Sequence, residues 1–422
     1  MHQEKQEQTG KSFNGLGIAP ALLDILARLR FTAPTPIQEQ AIPIAIQGKD
    51  MVGIAQTGTG KTLAFGVPMI QRIGILKKQG LIVLPTRELA AQVEEVMRKV
   101  GQGLGIRTAI LIGGAGFGPQ LQALRKNPHI IIATPGRLID HLERKTIRLD
   151  AVGIVVLDEA DRMLDMGFWP QIQRIFSALP KERQVMLFSA TMPPEIMKIA
   201  SAQMQLPVQV EIATTGTTAE RVTQELFIVP ADRKIALLAK LFEQYKGPTL
   251  VFARTKHGVK RIAGQIRMMG VNATEIHSNR TLGQRRDALE GFKIGRYRVL
   301  VATDIASRGI DVRGIELVVN YDLPMSSEDY VHRIGRTARA GAGGHAIAFA
   351  LPTERNAVRA IERLTRKSLP ISALPEGLPQ VSFVAPAPVR YSIHRRRSSP
   401  YRASSGFRPG GNTAQGFRRS KF

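Results

Sequence analysis

The chain is 422 residues long, enough for two or three domains of ordinary size. Its composition, 43% hydrophobic and 22% charged, is that of a globular protein, and the absence of cysteine excludes a disulfide framework, a Cys-ligated metal site and a Cys nucleophile. Lys and Arg number 59 against 34 Asp and Glu, and the resulting net charge of +25 points to a polyanionic partner.

Residues 1–12 are polar and are expected to be disordered; they hold no apolar segment of signal-peptide length. No stretch reaches the roughly 18 apolar residues of a membrane helix, so a cytoplasmic protein without a membrane partner is expected. An apolar stretch at 51–54 is followed by Ala55-Gln56-Thr57-Gly58-Thr59-Gly60-Lys61-Thr62 and then by a helical run from Leu63. This is a Walker A loop with Ala in the first glycine position. Gly58 and Gly60 let backbone amides curl around phosphates at a helix N-terminus, Lys61 reaches the β and γ phosphates, and Thr62 is a ligand for Mg²⁺.

Short apolar runs follow at 81–84, 109–112, 130–133, 154–157 and 185–188, and a second series lies at 249–252, 298–302, 317–320 and 346–349. They are continuous rather than alternating, as strands of a parallel sheet buried on both faces by helices require. The run 155–157 ends in Asp158-Glu159-Ala160-Asp161, which places Asp158 to hold magnesium and Glu159 to polarise the attacking water. Alone, a glycine turn with a chance Lys-Thr, or carboxylates capping a helix, would be the plainer readings. The two motifs together point to Mg-dependent nucleoside triphosphate hydrolysis. Between the two series, the polar segment 213–220 (ATTGTTAE) reads as a linker. After Glu376 no acidic residue occurs, and nine of the basic residues fall between Ala385 and Phe422 among Ser, Gly, Pro and spaced aromatics. Such a tail is expected to be disordered and to bind single-stranded nucleic acid with little sequence preference; a solubilising extension is the alternative.

The acidic quartet spells the DEAD box, and from about Phe13 to about Ala350 the chain resembles the DEAD-box ATP-dependent RNA helicases of superfamily 2. The phrase 302–309 and the short basic tail look most like the bacterial RhlE-like branch. The resemblance implies two RecA-like parallel-sheet domains in tandem, at 13–212 and 221–368, with a tail at 369–422. It implies ATP and Mg²⁺ as cofactors, RNA as partner, and RNA-stimulated ATP hydrolysis that unwinds short duplexes. A monomer is expected, and ribosomal precursors or the mRNA decay machinery are compatible settings.

Residue by residue, Phe31 and Thr35-Pro36-Ile37-Gln38 resemble the Q motif, in which the glutamine reads adenine while an aromatic ring stacks on it, and Phe13 matches the upstream aromatic. Pro85-Thr86-Arg87 resembles motif Ia, Gly113-Gly114 the double-glycine motif and Thr134-Pro135-Gly136-Arg137 motif Ib; all three imply RNA contacts to backbone and sugar. Ser189-Ala190-Thr191 resembles motif III, whose hydroxyls couple the two sites. In the second series, Thr303 and Arg308 are implied toward RNA, and Gly309 and Asp311 toward ATP. Arg336 and Arg339, in a sequence similar to motif VI, are arginine-finger candidates. Three departures stand out: Ala338 where Gly is common, an altered motif IV at 251–256, and Leu282 in place of the glutamine of a QxxR element whose Arg285 remains an expected RNA contact. A passive RNA annealer driven by the tail and a DNA-directed superfamily 2 translocase are the competing readings.

Overall fold

The computed structural model describes residues 12–56, 58–212, 222–307, 312, 314–337 and 344–378, and within them thirteen strands fall into two separate sheets. The first holds β1 (Met51–Ile54), β2 (Gln79–Val83), β3 (Thr108–Leu111), β4 (Ile130–Ala133), β5 (Val152–Leu157), β6 (Gln184–Ser189) and β7 (Val208–Glu211), in the order β3-β4-β2-β5-β6-β1-β7. The second holds β8 (Val222–Ile228), β9 (Thr249–Phe252), β10 (Ala273–Ile276), β11 (Val299–Ala302), β12 (Leu317–Asn320) and β13 (Gly344–Ala350), in the order β10-β11-β9-β12-β13-β8. Every pairing is parallel.

A parallel sheet must be covered on both faces, and the side chains sort accordingly. In the first sheet Ile82, Ile154 and Val156 enter one apolar cluster while Leu81, Val83, Val155 and Leu157 enter the cluster on the other face. In the second, Val299 and Val301 separate from Leu300 and Ala302 in the same alternation. Each continuous apolar run is therefore two half-faces interleaved.

Parallel order brings the carboxyl ends of the strands to one edge, where open α/β sheets bind ligands. Because β6 lies between β5 and β1, the turn carrying Ser189 is flanked by the phosphate loop after β1 and the acidic quartet after β5.

Three strands escaped the sequence pattern, and all three are sheet edges: β7, β8 and β10. An edge strand has one side against a neighbour and one toward solvent or a loop, so polar residues are tolerated within it. β8 (VTQELFI) and β10 (ATEI) show this, with Glu275 of β10 meeting Arg280 at 3.1 Å. The folded body extends past the expected boundary at 368. Leu369 and Leu378 are buried in second-sheet clusters, and Ile371 bridges Leu226 of β8, so residues 369–378 belong to the folded body. The expected linker 213–220, residues 1–11 and everything after 378 lie outside the described residues.

Candidate nucleotide and RNA site

The helix Lys61–Leu76 begins at the phosphate loop, with Gly58 at φ 85° and Gly60 at φ 92°. A side chain at Gly60 would strike the Gln38 amide as well as adopt a left-handed backbone, so glycine is required there twice over. Ala55, in the first glycine position, is buried, and its amide donates to the Ser189 carbonyl at 2.9 Å. Thr59 caps the loop by donating to the Gln56 carbonyl at 2.7 Å. Thr62 stands one residue into the helix and partly exposed. The Lys61 ammonium is buried without a hydrogen-bond partner, and Asp158 Oδ1 lies 3.4 Å away. A buried ammonium paired with one carboxylate but making no hydrogen bond, set behind left-handed glycines, fits a phosphate group; the buried carboxylate and a hydroxyl beside it fit a phosphate-bound Mg²⁺, which ordinarily takes few protein ligands.

Gln38 opens the helix Pro36–Ile46 and is buried; its Oε1 accepts from the Thr35 amide at 3.0 Å and its Nε2 donates to the Gly60 carbonyl at 2.9 Å. It therefore ties the Q-motif helix to the phosphate loop, and one lone pair and one N–H remain for a base. Phe31 is 38% exposed, whereas Phe13 is 5% exposed inside the first core cluster. Of the two aromatics expected to meet the nucleotide, only Phe31 presents an open ring; Phe13 is a core residue here.

The acidic quartet is buried in full view of three cations. Burial lifts the Asp158 carboxyl above its ordinary range, with Glu159 adding to the rise and Lys61 opposing it. Burial would lift Glu159 as well, but Arg162, Lys61 and Arg336 together outweigh it and hold that carboxyl low. Glu159 sits at φ 54°, and its Oε2 accepts from Arg162 Nη1 at 2.9 Å. Asp161 Oδ2 accepts from the amides of Ala190 and Thr191 and from the Thr191 hydroxyl, at 2.9–3.1 Å, while its own amide donates to Ser189 Oγ at 3.3 Å. Ser189 and Thr191 thus join the acidic quartet to the end of β6.

Opposite stands the second domain. Arg162 lines a narrow recess with Phe252, Asp304, Asp329, His332, Arg333 and Arg336, so motif VI faces the carboxylates of the first domain. Arg336 is buried, its Nε donating to the His332 carbonyl at 3.2 Å. Burial, followed by the charge of Arg162, pushes His332 down to about 4. Sequence reasoning assigned no role to Arg162 or Arg333. Arg333 forks onto Asp304 (Nε–Oδ1 2.5 Å, Nη2–Oδ2 2.7 Å), donates to Asn320 Oδ1 at 2.9 Å and stacks 4.9 Å above Phe252. It anchors the helix Ser327–Ile334 to the sheet, as does Tyr330, whose hydroxyl donates to Gln224 Oε1 at 3.0 Å. An arginine one residue after three acids, and three arginines in one short motif, were the available signals.

The expected RNA motifs converge on the first domain. Pro85 and Thr86 precede the helix Arg87–Gly101, which Thr86 caps by accepting from the Leu89 amide at 3.3 Å. Arg87 lies over Gly113 and Gly114, the latter at φ 76°, and Arg137 donates to the Ala115 carbonyl at 3.1 Å. Thr134, buried, follows β4 and precedes the helix Pro135–Glu143 that carries Arg137. Thr303 follows β11, half-buried. Arg285 departs from expectation: it is buried and its Nη2 meets Glu88 Oε2 of the first domain at 2.8 Å. It is here an interdomain ion-pair partner rather than an open RNA ligand. Beside it, Leu282 packs against the first domain's core cluster, which explains why an apolar residue suits that position. Thr57, Arg308, Gly309, Asp311 and Arg339, together with Ala338, lie outside the described residues.

Residues 35–199 match the family model for the DEAD/DEAH box helicase, and residues 233–341 match the helicase conserved C-terminal domain. Over 361 residues the chain is 44% identical to a DEAD-box ATP-dependent RNA helicase CshA of Bacillus licheniformis, covering 85% of this chain and 74% of that protein. It is 42% identical over 369 residues to the ATP-dependent rRNA helicase RRP3 of Eremothecium gossypii, covering 86% and 76%. Among solved structures it resembles S. cerevisiae Dbp5 bound to RNA and ADP BeF3, with a TM-score of 0.76 at 31% identity over 86% of this chain and 96% of that one.

Proposed function

The chain belongs to the DEAD-box family of ATP-dependent RNA helicases, and from that premise we propose how its residues divide the work. The protein is an RNA-dependent ATPase that binds RNA and unwinds it with ATP. One observation carries the residue-level reading: Arg162, whose Nη1 donates to Glu159 Oε2 at 2.9 Å beside the phosphate loop, lines one recess with His332 and Arg336 of the other domain.

In this reading Gln38 and Phe31 hold the adenine, and the loop amides with Lys61 hold the phosphates. Thr62 and Asp158 would hold Mg²⁺, which when bound neutralises charge on the phosphate oxygens. Glu159 polarises and orients the attacking water as ATP and water become ADP and phosphate. Arg336, which only the second domain can deliver, stabilises charge growing on the transferring group, so hydrolysis is conditional on the two domains meeting. Arg87, Arg137 and the Gly113–Gly114 turn hold RNA backbone, and Asp161, bonded to Ser189 and Thr191, links the two sites. Each ligand bridges both domains and therefore stabilises their approach, which gives positive coupling between ATP and RNA. Ribosomal RNA is the substrate to which the Eremothecium relative's name points, and a cytoplasmic monomer is the setting we propose.

Lys61→Ala, Glu159→Gln and Arg336→Ala should each lower RNA-stimulated ATP turnover by about 10²–10³-fold, while RNA binding without nucleotide persists. Near wild-type turnover in all three would sink these assignments.

A further inference from the structure

Outside the cleft, the helix Arg355–Thr365 carries a line of cations on one face. Arg355, Arg359 and Arg363 recur every four residues, Arg366 and Lys367 prolong the line past the helix end, and all five are exposed. Residues four apart on a helix share a face with about 6 Å between them, so these charges form a row. The opposite face is apolar, with Val358 and Ile361 buried in a cluster with Tyr330 and Ile334. Both acids beside the row accept hydrogen bonds from the fold, and Glu362 remains among the cations, which outnumber it four to one around a shallow recess. Glu354 takes Arg254 at 2.9 Å and the Leu351 amide at 2.9 Å, and Glu362 accepts from the Leu369 amide at 2.9 Å. Arg366 ends the helix at φ 52°, a left-handed stop that glycine fills at roughly 1 kcal/mol less strain. Arg366 adds a further cation to this recess of about 340 Å³, which Arg359, Glu362, Arg363, Lys367 and Ser368 also line.

We infer that this face is a second RNA-binding surface, which holds the phosphate backbone of a stretch of substrate lying outside the cleft between the two sheets. A row of point charges with one large exposed apolar side chain, Leu364, fits a polyanionic backbone better than a protein surface, whose affinity requires buried aromatic or aliphatic anchors. The inference rests on the RNA helicase reading for the identity of the polyanion.

The test uses the full chain with Arg355, Arg359, Arg363 and Arg366 all changed to Gln, beside a companion with the same four changed to Lys. Binding of a single-stranded RNA is titrated from about 50 to about 200 mM salt, and ATPase is measured at saturating RNA. Each phosphate contact on a single strand contributes about 0.7 to the log–log salt slope, so the Gln variant should bind about tenfold more weakly at low salt with a slope flatter by about 2 to 3. The Lys variant should keep the wild-type slope, and kcat at saturating RNA should be unchanged in both. Wild-type affinity and slope in the Gln variant would overturn the inference. So would loss of polyglutamate binding with RNA binding intact, which assigns the face to an acidic protein. A drop in unfolding temperature and kcat shared by both variants makes the row structural and overturns it too. A wild-type chain without RNA-stimulated ATPase contradicts the helicase reading alone, because the salt slope still decides the surface.

Discussion

His332 illustrates how much of the chemistry is set by what surrounds a single side chain. Arg162, Asp161, Arg336 and Asp329 all face it, and burial with the Arg162 charge depresses it to about 4 from an ordinary value near 6.5. A depressed histidine is neutral when folded while the unfolded chain binds a proton. Its contribution to stability is therefore present above about pH 6.5 and is lost as pH falls toward 4, by up to about 3 kcal/mol. Asp161 and Glu159, both held low, lose stability in a more acidic window, so the difference between wild type and His332→Gln isolates the histidine. Unfolding measured from pH 7 to pH 4 should fall more steeply in wild type than in His332→Gln. Parallel curves would remove His332 from the acid response.

Among elements, the phosphate loop is the least tolerant. Gly60→Ala sets a Cβ against Gln38 on a left-handed backbone and should destabilise the chain by about 1–2 kcal/mol. It should also weaken ATP binding about tenfold or more, since the same contact aligns the Q-motif helix; nucleotide titration and thermal unfolding check the two halves. The central strands could be read from residue pattern alone: 130–133, 249–252 and 317–320 coincide with β4, β9 and β12 because both their faces are covered. Three of the four edge strands could not: β8 carries the consecutive polar residues Thr223, Gln224 and Glu225 and resembles a loop until its partner is known, whereas the fourth edge, β3, is apolar enough to be read at 109–112. Among site residues, the chemistry-bearing motifs were readable because phosphate and carboxylate chemistry restricts residue type. The burial of Phe13, the anchoring role of Arg333 and the pairing of Arg285 with Glu88 depend on tertiary contacts that local sequence does not encode.

At the scale of the whole molecule, the helices Arg87–Gly101 and Leu282–Lys293 face each other across the two domains: Arg285 pairs with Glu88, and Glu95, held low first by Lys99 of its own helix, also feels the charge of Lys293. Burial nevertheless raises Glu88 despite Arg285 and Arg87 beside it, so the pair is held at a desolvation cost. Glu88→Gln and Arg285→Gln singly should each weaken ATP-dependent RNA binding, while the double variant recovers, with a coupling of about 1–3 kcal/mol in a double-mutant cycle. Additive losses would mean that the two residues act independently, with Arg285 directly on RNA. The net charge of +25 divides by position along the chain. Nine cations lie between Ala385 and Phe422, three line the outer helix face with Arg366 and Lys367 just beyond its end, and Lys61, Arg162 and Arg336 surround the carboxylates. The most direct measurement is strand separation of a short RNA duplex, with a sequence-matched DNA duplex alongside, in the presence and absence of ATP, for wild type and Glu159→Gln. Separation of the RNA duplex alone, dependent on ATP and lost in Glu159→Gln, is the expected result; equal rates without ATP, or equal rates on DNA, would contradict an ATP-driven RNA helicase.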